Sequence, residues 1–225
     1  MLEEFFLHTA RPLPVFLLID TSGSMDEPGK LDAVNQAVQV MVKTLADESS
    51  YQADLQLSLI TFGGLEASVR QPLVPAQDVV FAPMTAKGRT PMGGALRLLT
   101  QLIEDPAVVP SRAYRPTVLI VSDGIPTDDF EEALEEMKAA PRASKALRFA
   151  MIIGEDPGAE GEGFLKSFIG TEDAYVFHAL EAKEVRKAFK FVTMSVTART
   201  RSATPNEAVM TAHAYDQFEE FLDDD

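Results

Sequence analysis

Two unbroken apolar runs organise this chain. Val15–Ile19 and Thr117–Ser122 show no alternation of polar and apolar positions, the pattern of strands buried on both faces of a covered sheet. Each ends abruptly in an acid, Asp20 and Asp123. Between and beyond them, periodicity switches between that of helices and that of strands. Lys30–Ala46 places Leu31, Val34, Val38, Met41, Val42 and Leu45 on one helical stripe. Leu55, Leu57, Leu59 and Phe62 alternate as a second strand, and Ser68–Leu73 reads as an edge strand because Pro72 lacks the N–H of a central ladder. Pro91–Glu104 is the next helix, with Pro91 in its first turn and Leu96, Leu99, Leu102 and Ile103 on its apolar side. The pattern continues with a helix at Phe130–Ala139, a strand at Arg148–Gly154, a short helix at Gly163–Ile169 and a strand at Tyr175–Ala179. A helix over Ala182–Thr197 closes it, with Val185, Ala188, Phe189 and Val192 at helical spacing.

Alternation of this kind from Arg11 to about Thr200 predicts an α/β domain with a mostly parallel sheet flanked by helices. The domain is read as residues 11–200. Residues 201–225 are read as a linker, Arg201–Asn206, and an acidic appendage ending in Asp223-Asp224-Asp225. Within it Met210, Ala214, Phe218 and Leu222 recur every four residues, the spacing of a short amphipathic helix.

Composition narrows the function. The 225 residues include no cysteine, so disulfides, thiolate metal sites and cysteine nucleophiles are all excluded. Any metal must use oxygen ligands, or His8, His178 and His213. The net charge of -15, with basic residues scattered, argues against nucleic-acid binding and suits cationic partners. No stretch reaches the roughly 18 to 20 apolar residues of a membrane span. Met1–His8 carries acids where a signal peptide has a basic region, so the expectation is a cytoplasmic protein.

The polar residues after the apolar runs carry the chemistry. Asp20, Ser22 and Ser24 stand two apart at the carboxyl edge of the sheet, where open α/β folds place their sites. Their oxygens converge on a small hard cation. Gly88-Arg89-Thr90-Pro91 and Ser122-Asp123-Gly124 supply further short-reach oxygens beside glycines. Magnesium, octahedral and reluctant to shed water, suits hydroxyls and two acids, with Mn²⁺ or Ca²⁺ as alternatives. The plainer roles for these residues are Asx turns for Asp20 and Ser22 and a helix N-cap for Thr90. Asp26 and Glu27 are read as caps of the helix that follows, and Asp128 or Asp129 as the cap of the helix at Phe130, whose glutamates form a solvated face. His178 is read as a packed or edge histidine, and the methionines, Met41 and Met194 among them, as helical core.

Taken together, Asp20-x-Ser22-x-Ser24, then Thr90, then Asp123-Gly124 resemble the von Willebrand factor type A (VWA) domain with its metal-ion-dependent adhesion site (MIDAS). That resemblance covers about residues 11 to 200. It implies a Rossmann-like fold with a six-stranded, mostly parallel sheet and helices on both faces. It also implies that Ser22, Ser24 and Thr90 bind the metal directly while Asp20 and Asp123 act largely through water, leaving a position open to a partner's carboxylate. Arg11–Val15, Met25 with Glu27-Pro28, and Asp123–Asp128 look like the tellurium-resistance VWA subgroup of bacteria, whose members are found with phosphatase and kinase partners in stress-response or phosphorylation systems. The leading expectation is therefore a non-catalytic protein-binding domain. A Mg²⁺-dependent phosphotransferase or hydrolase using Asp20, or a scaffold with a purely structural metal, are the rivals; position 22 is serine, so the Asp-x-Asp arrangement of the enzyme reading is missing.

Overall fold

The computed structural model describes residues 10–48, 53–154, 158–171 and 175–207. It contains six strands: β1 (Arg11–Asp20), β2 (Ala53–Gly63), β3 (Glu66–Pro75), β4 (Thr117–Ser122), β5 (Leu147–Ile153) and β6 (Val176–Ala179). Five α-helices accompany them among the described residues: α1 (Lys30–Asp47), α2 (Met92–Glu104), α3 (Phe130–Ala139), α4 (Gly158–Ile169) and α5 (Ala182–Arg201). The sheet order is β3-β2-β1-β4-β5-β6, with β3 antiparallel and every other pairing parallel. This is the expected Rossmann-like architecture. No described helix is long and apolar enough to cross a membrane.

Strand order fixes where a site can form. The chain builds leftward from β1 to β3 and then rightward from β4 to β6, so the order reverses between β1 and β4. Connections leave that point in opposite directions, opening a crevice beyond the carboxyl ends of these two strands. Asp20 ends β1 and Ser122 ends β4, so both acid-bearing loops flank the crevice.

Side chains of β1 alternate between two cores. Leu13, Val15, Leu17 and Ile19 pack beneath α1 and α5, while Phe16 and Leu18 pack beneath α2, α3 and α4. Full burial of each such side chain contributes about 1.5–3 kcal/mol. The strand starts at Arg11, four residues before the apolar run, despite Pro12 and Pro14. In a parallel strand the N–H and C=O of one residue face the same neighbour, and the Pro12 carbonyl accepts from Tyr114 N–H at 2.8 Å on the β4 side. The β4 ladder begins only at Val15, so the missing proline donors cost no ladder bond.

Other boundaries differ for local reasons. Phe62 joins Ile60 in the core under α2 while Leu55, Leu57 and Leu59 face α1, so the alternation expected through Phe62 breaks. The register of β2 against β3 shifts twice around Leu59, with Pro72 in the irregular stretch. Pro91 precedes α2 as its cap position and is not in its first turn. Helix α4 begins at Gly158, five residues before the expected start, although Gly158, Gly161 and Gly163 disfavour helix locally; Gly161 is buried in the added turn. Met194 is 41% exposed, so it is no part of the core.

At the far end of the sheet, α5 runs through Arg201, and residues 202–207 stay on the domain. Buried Arg199 donates to the Pro205 carbonyl, the Thr117 hydroxyl and the Arg115 carbonyl at 2.8, 2.6 and 2.7 Å. Asn206 in turn accepts from Arg115 N–H at 2.9 Å. The helical spacing expected at Met210 to Leu222, like His8 and His213, lies outside the described residues.

Candidate metal centre

The loop after β1 is built by backbone contacts that leave no room for side chains. Thr21 N–H donates to the Phe62 carbonyl at 2.9 Å and its carbonyl accepts from Lys87 N–H at 2.7 Å. A Cβ on Gly63 would lie 2.3 Å from the Thr21 carbonyl oxygen, so only glycine lets β2 approach this closely. Gly23 N–H donates to the Gly88 carbonyl at 2.9 Å, and Gly88, with φ +70°, presses within 2.4 Å of Gly64 Cα at the place of its own missing Cβ. The stretch leading to Gly88 is fixed from α1, where the Asn35 amide clamps Met84 through N–H and C=O at 2.8 and 3.1 Å.

Oxygens then line up along the crevice. Asp20 is 0% exposed; its Oδ1 accepts from Ser22 N–H at 2.7 Å and its Oδ2 from the Ser122 hydroxyl at 2.5 Å. The Ser22 and Ser24 hydroxyls are 3.1 Å apart, and Ser24 Oγ donates to Asp123 Oδ1 at 2.8 Å. The row thus rises from a fully buried carboxylate to an exposed serine. Thr90, 7% exposed, reaches the same edge through its backbone. Its N–H donates to the Thr127 hydroxyl at 3.1 Å and its carbonyl accepts from Thr127 N–H at 3.0 Å, which stitches its loop to the loop after β4. The structure therefore links Asp20, Ser22, Ser24 and Asp123 by hydrogen bonds and delivers Thr90 beside them through the main chain.

The electrostatics leave one charge uncompensated. Burial pushes the Asp20 carboxyl up to about 6, against the pull of hydrogen bonds from Ser122 and Ser22, and Asp123 adds repulsion. Lys30, by contrast, pairs with Asp123 Oδ2 and Glu27 Oε2 at 2.9 Å each. Burial alone would lower the Lys30 ammonium, but its bonds to Glu27 and Asp123 outweigh that and hold it above the ordinary lysine range. A buried carboxylate met only by neutral donors, beside two hydroxyls and a second acid, is a donor set that fits a small hard cation. Among the described residues no three acids or histidines cluster as metal ligands, so such a site is rich in hydroxyls and poor in charge.

Residues 15–125, which hold the whole row, match the family profile described as von Willebrand factor type A domain. The matched segment is a VWA domain. Its fold has many solved counterparts. A von Willebrand factor type A protein from Catenulispora acidiphila is 20% identical with a TM-score of 0.63, the match covering 83% of this chain and 43% of that one. Proximal thread matrix protein 1 from the mussel byssus, in a structure with a zinc-occupied MIDAS motif, is 17% identical with a TM-score of 0.62, covering 84% and 48%. The pilus adhesin SpaC of Lactobacillus rhamnosus GG is 16% identical with a TM-score of 0.65, covering 84% and 31%. This chain thus spans less than half the length of each. No curated protein matches it.

Several polar residues of the VWA domain act otherwise than their sequence position suggests. Asp128 does not cap α3: its two carboxylate oxygens accept from Gly93 and Gly94 N–H at 2.8 Å each, capping α2, and Asp129 precedes α3 without a side-chain cap bond. Neither Asp26 nor Glu27 caps α1, whose N-cap is Gly29 at φ +89°. Glu132 and Glu136 lie on the solvated face expected of them, and there they also pair with Arg97 of α2 at 2.8 and 3.1 Å. His178, by contrast, is the edge histidine the sequence suggests, exposed on edge strand β6 and 3.5 Å from Glu162. Ser122 and Lys30 were not singled out as site residues in the sequence. Ser122 stood visibly at the strand end, whereas nothing local marks Lys30, whose partner lies 93 residues away.

Proposed function

We propose that this VWA domain is a non-catalytic protein-binding module that captures a partner's carboxylate through a divalent cation held by Asp20, Ser22, Ser24, Thr90 and Asp123. The observation that carries this reading is the continuous hydrogen-bonded row from buried Asp20 through Ser22 and exposed Ser24 to the Asp123 carboxylate at the β1/β4 crevice. When bound, the cation supplies a Lewis-acid position that accepts an oxygen from outside the domain. Ser22 and Ser24 hold it with neutral oxygens, Asp20 anchors the base of the row, and Asp123 orients Ser24. Mg²⁺ is the ion proposed, with Mn²⁺ or Ca²⁺ as alternatives.

The arrangement of Asp20 supports binding over catalysis. Both its oxygens are engaged by Ser22 and Ser122, and it is shut off from solvent, whereas a nucleophile must reach its substrate. Lys87 and Arg89, exposed on either side of Gly88, have no carboxylate within ion-pair distance among the described residues. They add positive charge to the rim of a chain whose net charge is -15 and favour an acidic partner segment. Resemblance to the tellurium-resistance subgroup makes a phosphatase or kinase of a bacterial stress system the partner class to test first.

Calorimetric titration of the metal-free chain with Mg²⁺, Mn²⁺ and Ca²⁺ tests the site. One saturable event is expected, lost in Ser22→Ala and Ser24→Ala. Equal binding by the wild type and both variants contradicts the assignment, and turnover of a phosphoester panel that Asp20→Asn abolishes favours the enzyme.

A further inference from the structure

Lys30 occupies an odd place for a cation. It is the first residue of α1, where the helix dipole disfavours positive charge, so the helix itself gives no reason for a lysine there. The reason lies across the crevice. Its side chain is only 14% exposed, and its ammonium holds Asp123 Oδ2 and Glu27 Oε2 at 2.9 Å each. A space has been left for it at the end of β5: a Cβ on Gly154 would sit 2.4 Å from Lys30 Cε and 2.8 Å from Nζ. Asp123 is thereby divided, one oxygen given to Lys30 and the other to the Ser24 hydroxyl at 2.8 Å.

We propose that Lys30 is a resident counter-charge that fixes Asp123 and sets the metal affinity of the row, keeping a bound ion weakly held and strongly electrophilic toward an incoming carboxylate. This rests on the metal-site reading above. Lys30 divides one positive charge between Asp123 and the exposed Glu27, so of the two acids in the row only Asp20 has no cation beside it. A unit charge a few ångströms from a divalent ion, with water-like screening, changes affinity on the order of tenfold.

The test is Mg²⁺ titration of the full chain by calorimetry, comparing wild type, Lys30→Met and Lys30→Arg at low and high ionic strength. Lys30→Met is expected to bind Mg²⁺ about tenfold tighter at low salt, with the gap narrowing at high salt, and Lys30→Arg to stay close to wild type. In chelator Lys30→Met should melt lower, because Asp123 has lost its partner, and Mg²⁺ should raise its melting temperature by more than it raises the wild type's. A merely structural lysine would lower both melting curves alike and leave affinity unchanged. Glu27→Gln, at an exposed side chain, serves if the Met variant does not fold: with Lys30 no longer shared, Mg²⁺ binding should weaken severalfold. Unchanged or weaker Mg²⁺ binding by a folded Lys30→Met, or unchanged binding by Glu27→Gln in its place, overturns the proposal while leaving the site intact. No binding by any form, wild type included, overturns the site as well.

Discussion

Asp20→Asn is expected to weaken Mg²⁺ binding by roughly 100-fold while raising the melting temperature of the chain in chelator. The two effects share one cause. The Asp20 carboxyl is 0% exposed and its pKa is raised from 3.8 to about 6. A folded pKa above the unfolded value means that this group's contribution is fully present below pH 3.8 and is lost as pH rises through about 6. At neutral pH the ionised carboxylate therefore costs the metal-free fold on the order of 3 kcal/mol. Asparagine keeps the shape: its carbonyl accepts from Ser22 N–H and its amide donates to Ser122 Oγ, so the hydrogen bonds survive without the charge. Thermal unfolding in chelator should show the Asn variant ahead at neutral pH, with the advantage shrinking below pH 6. Wild-type Mg²⁺ affinity, or a lower melting temperature at neutral pH, contradicts this account.

Arg199→Ala is expected to destabilise the fold by about 3–5 kcal/mol without changing Mg²⁺ affinity. Arg199 is 1% exposed and binds only neutral oxygens, those of Pro205, Thr117 and Arg115. Burial, with Arg115 nearby, brings its pKa down to about 10, so the side chain remains charged at neutral pH and holds three acceptors that alanine would strand. Thr117 begins β4 and Ser122 ends it, so the loss falls at the opposite end of the sheet from the oxygen row. Lysine cannot reproduce the planar fork and should restore only part of the stability. Urea unfolding paired with calorimetry checks both halves. A loss below about 1 kcal/mol, or an altered affinity in the folded variant, contradicts it.

What the sequence disclosed and what it hid divide on physical lines. Val15–Ile19 and Thr117–Ser122 announce buried strands because unbroken apolar runs have few other uses, and α3 runs from Phe130 to Ala139 as the acids around its first turn suggest, although neither Asp128 nor Asp129 caps it. Asp20, Ser22 and Ser24 were legible because they sit two apart at a strand end, and Asp123 because it ends the other such strand. Thr90 was legible as a short-reach oxygen beside Gly88 at the start of a helix, but its backbone partner Thr127, 37 residues away, was not. Gly63, Asp128 and Lys30 were hidden for the same reason: their roles arise where distant segments meet, and no local pattern encodes a contact across 93 residues. Start positions of β1 and α4 were missed because tertiary pairing and burial overrode local cost, that of Pro12 and Pro14 in one and of three glycines in the other.

The central claim is that a cation at this row joins the domain to another protein. Affinity capture from a cytosolic extract, run in parallel with Mg²⁺ and with chelator and with Asp20→Asn as the matched bait, tests it most directly. The account predicts a partner retained by the wild-type chain in Mg²⁺ and released by chelator, and not retained by Asp20→Asn. Retention of that partner at equal strength in chelator, or by the Asn variant, would contradict it.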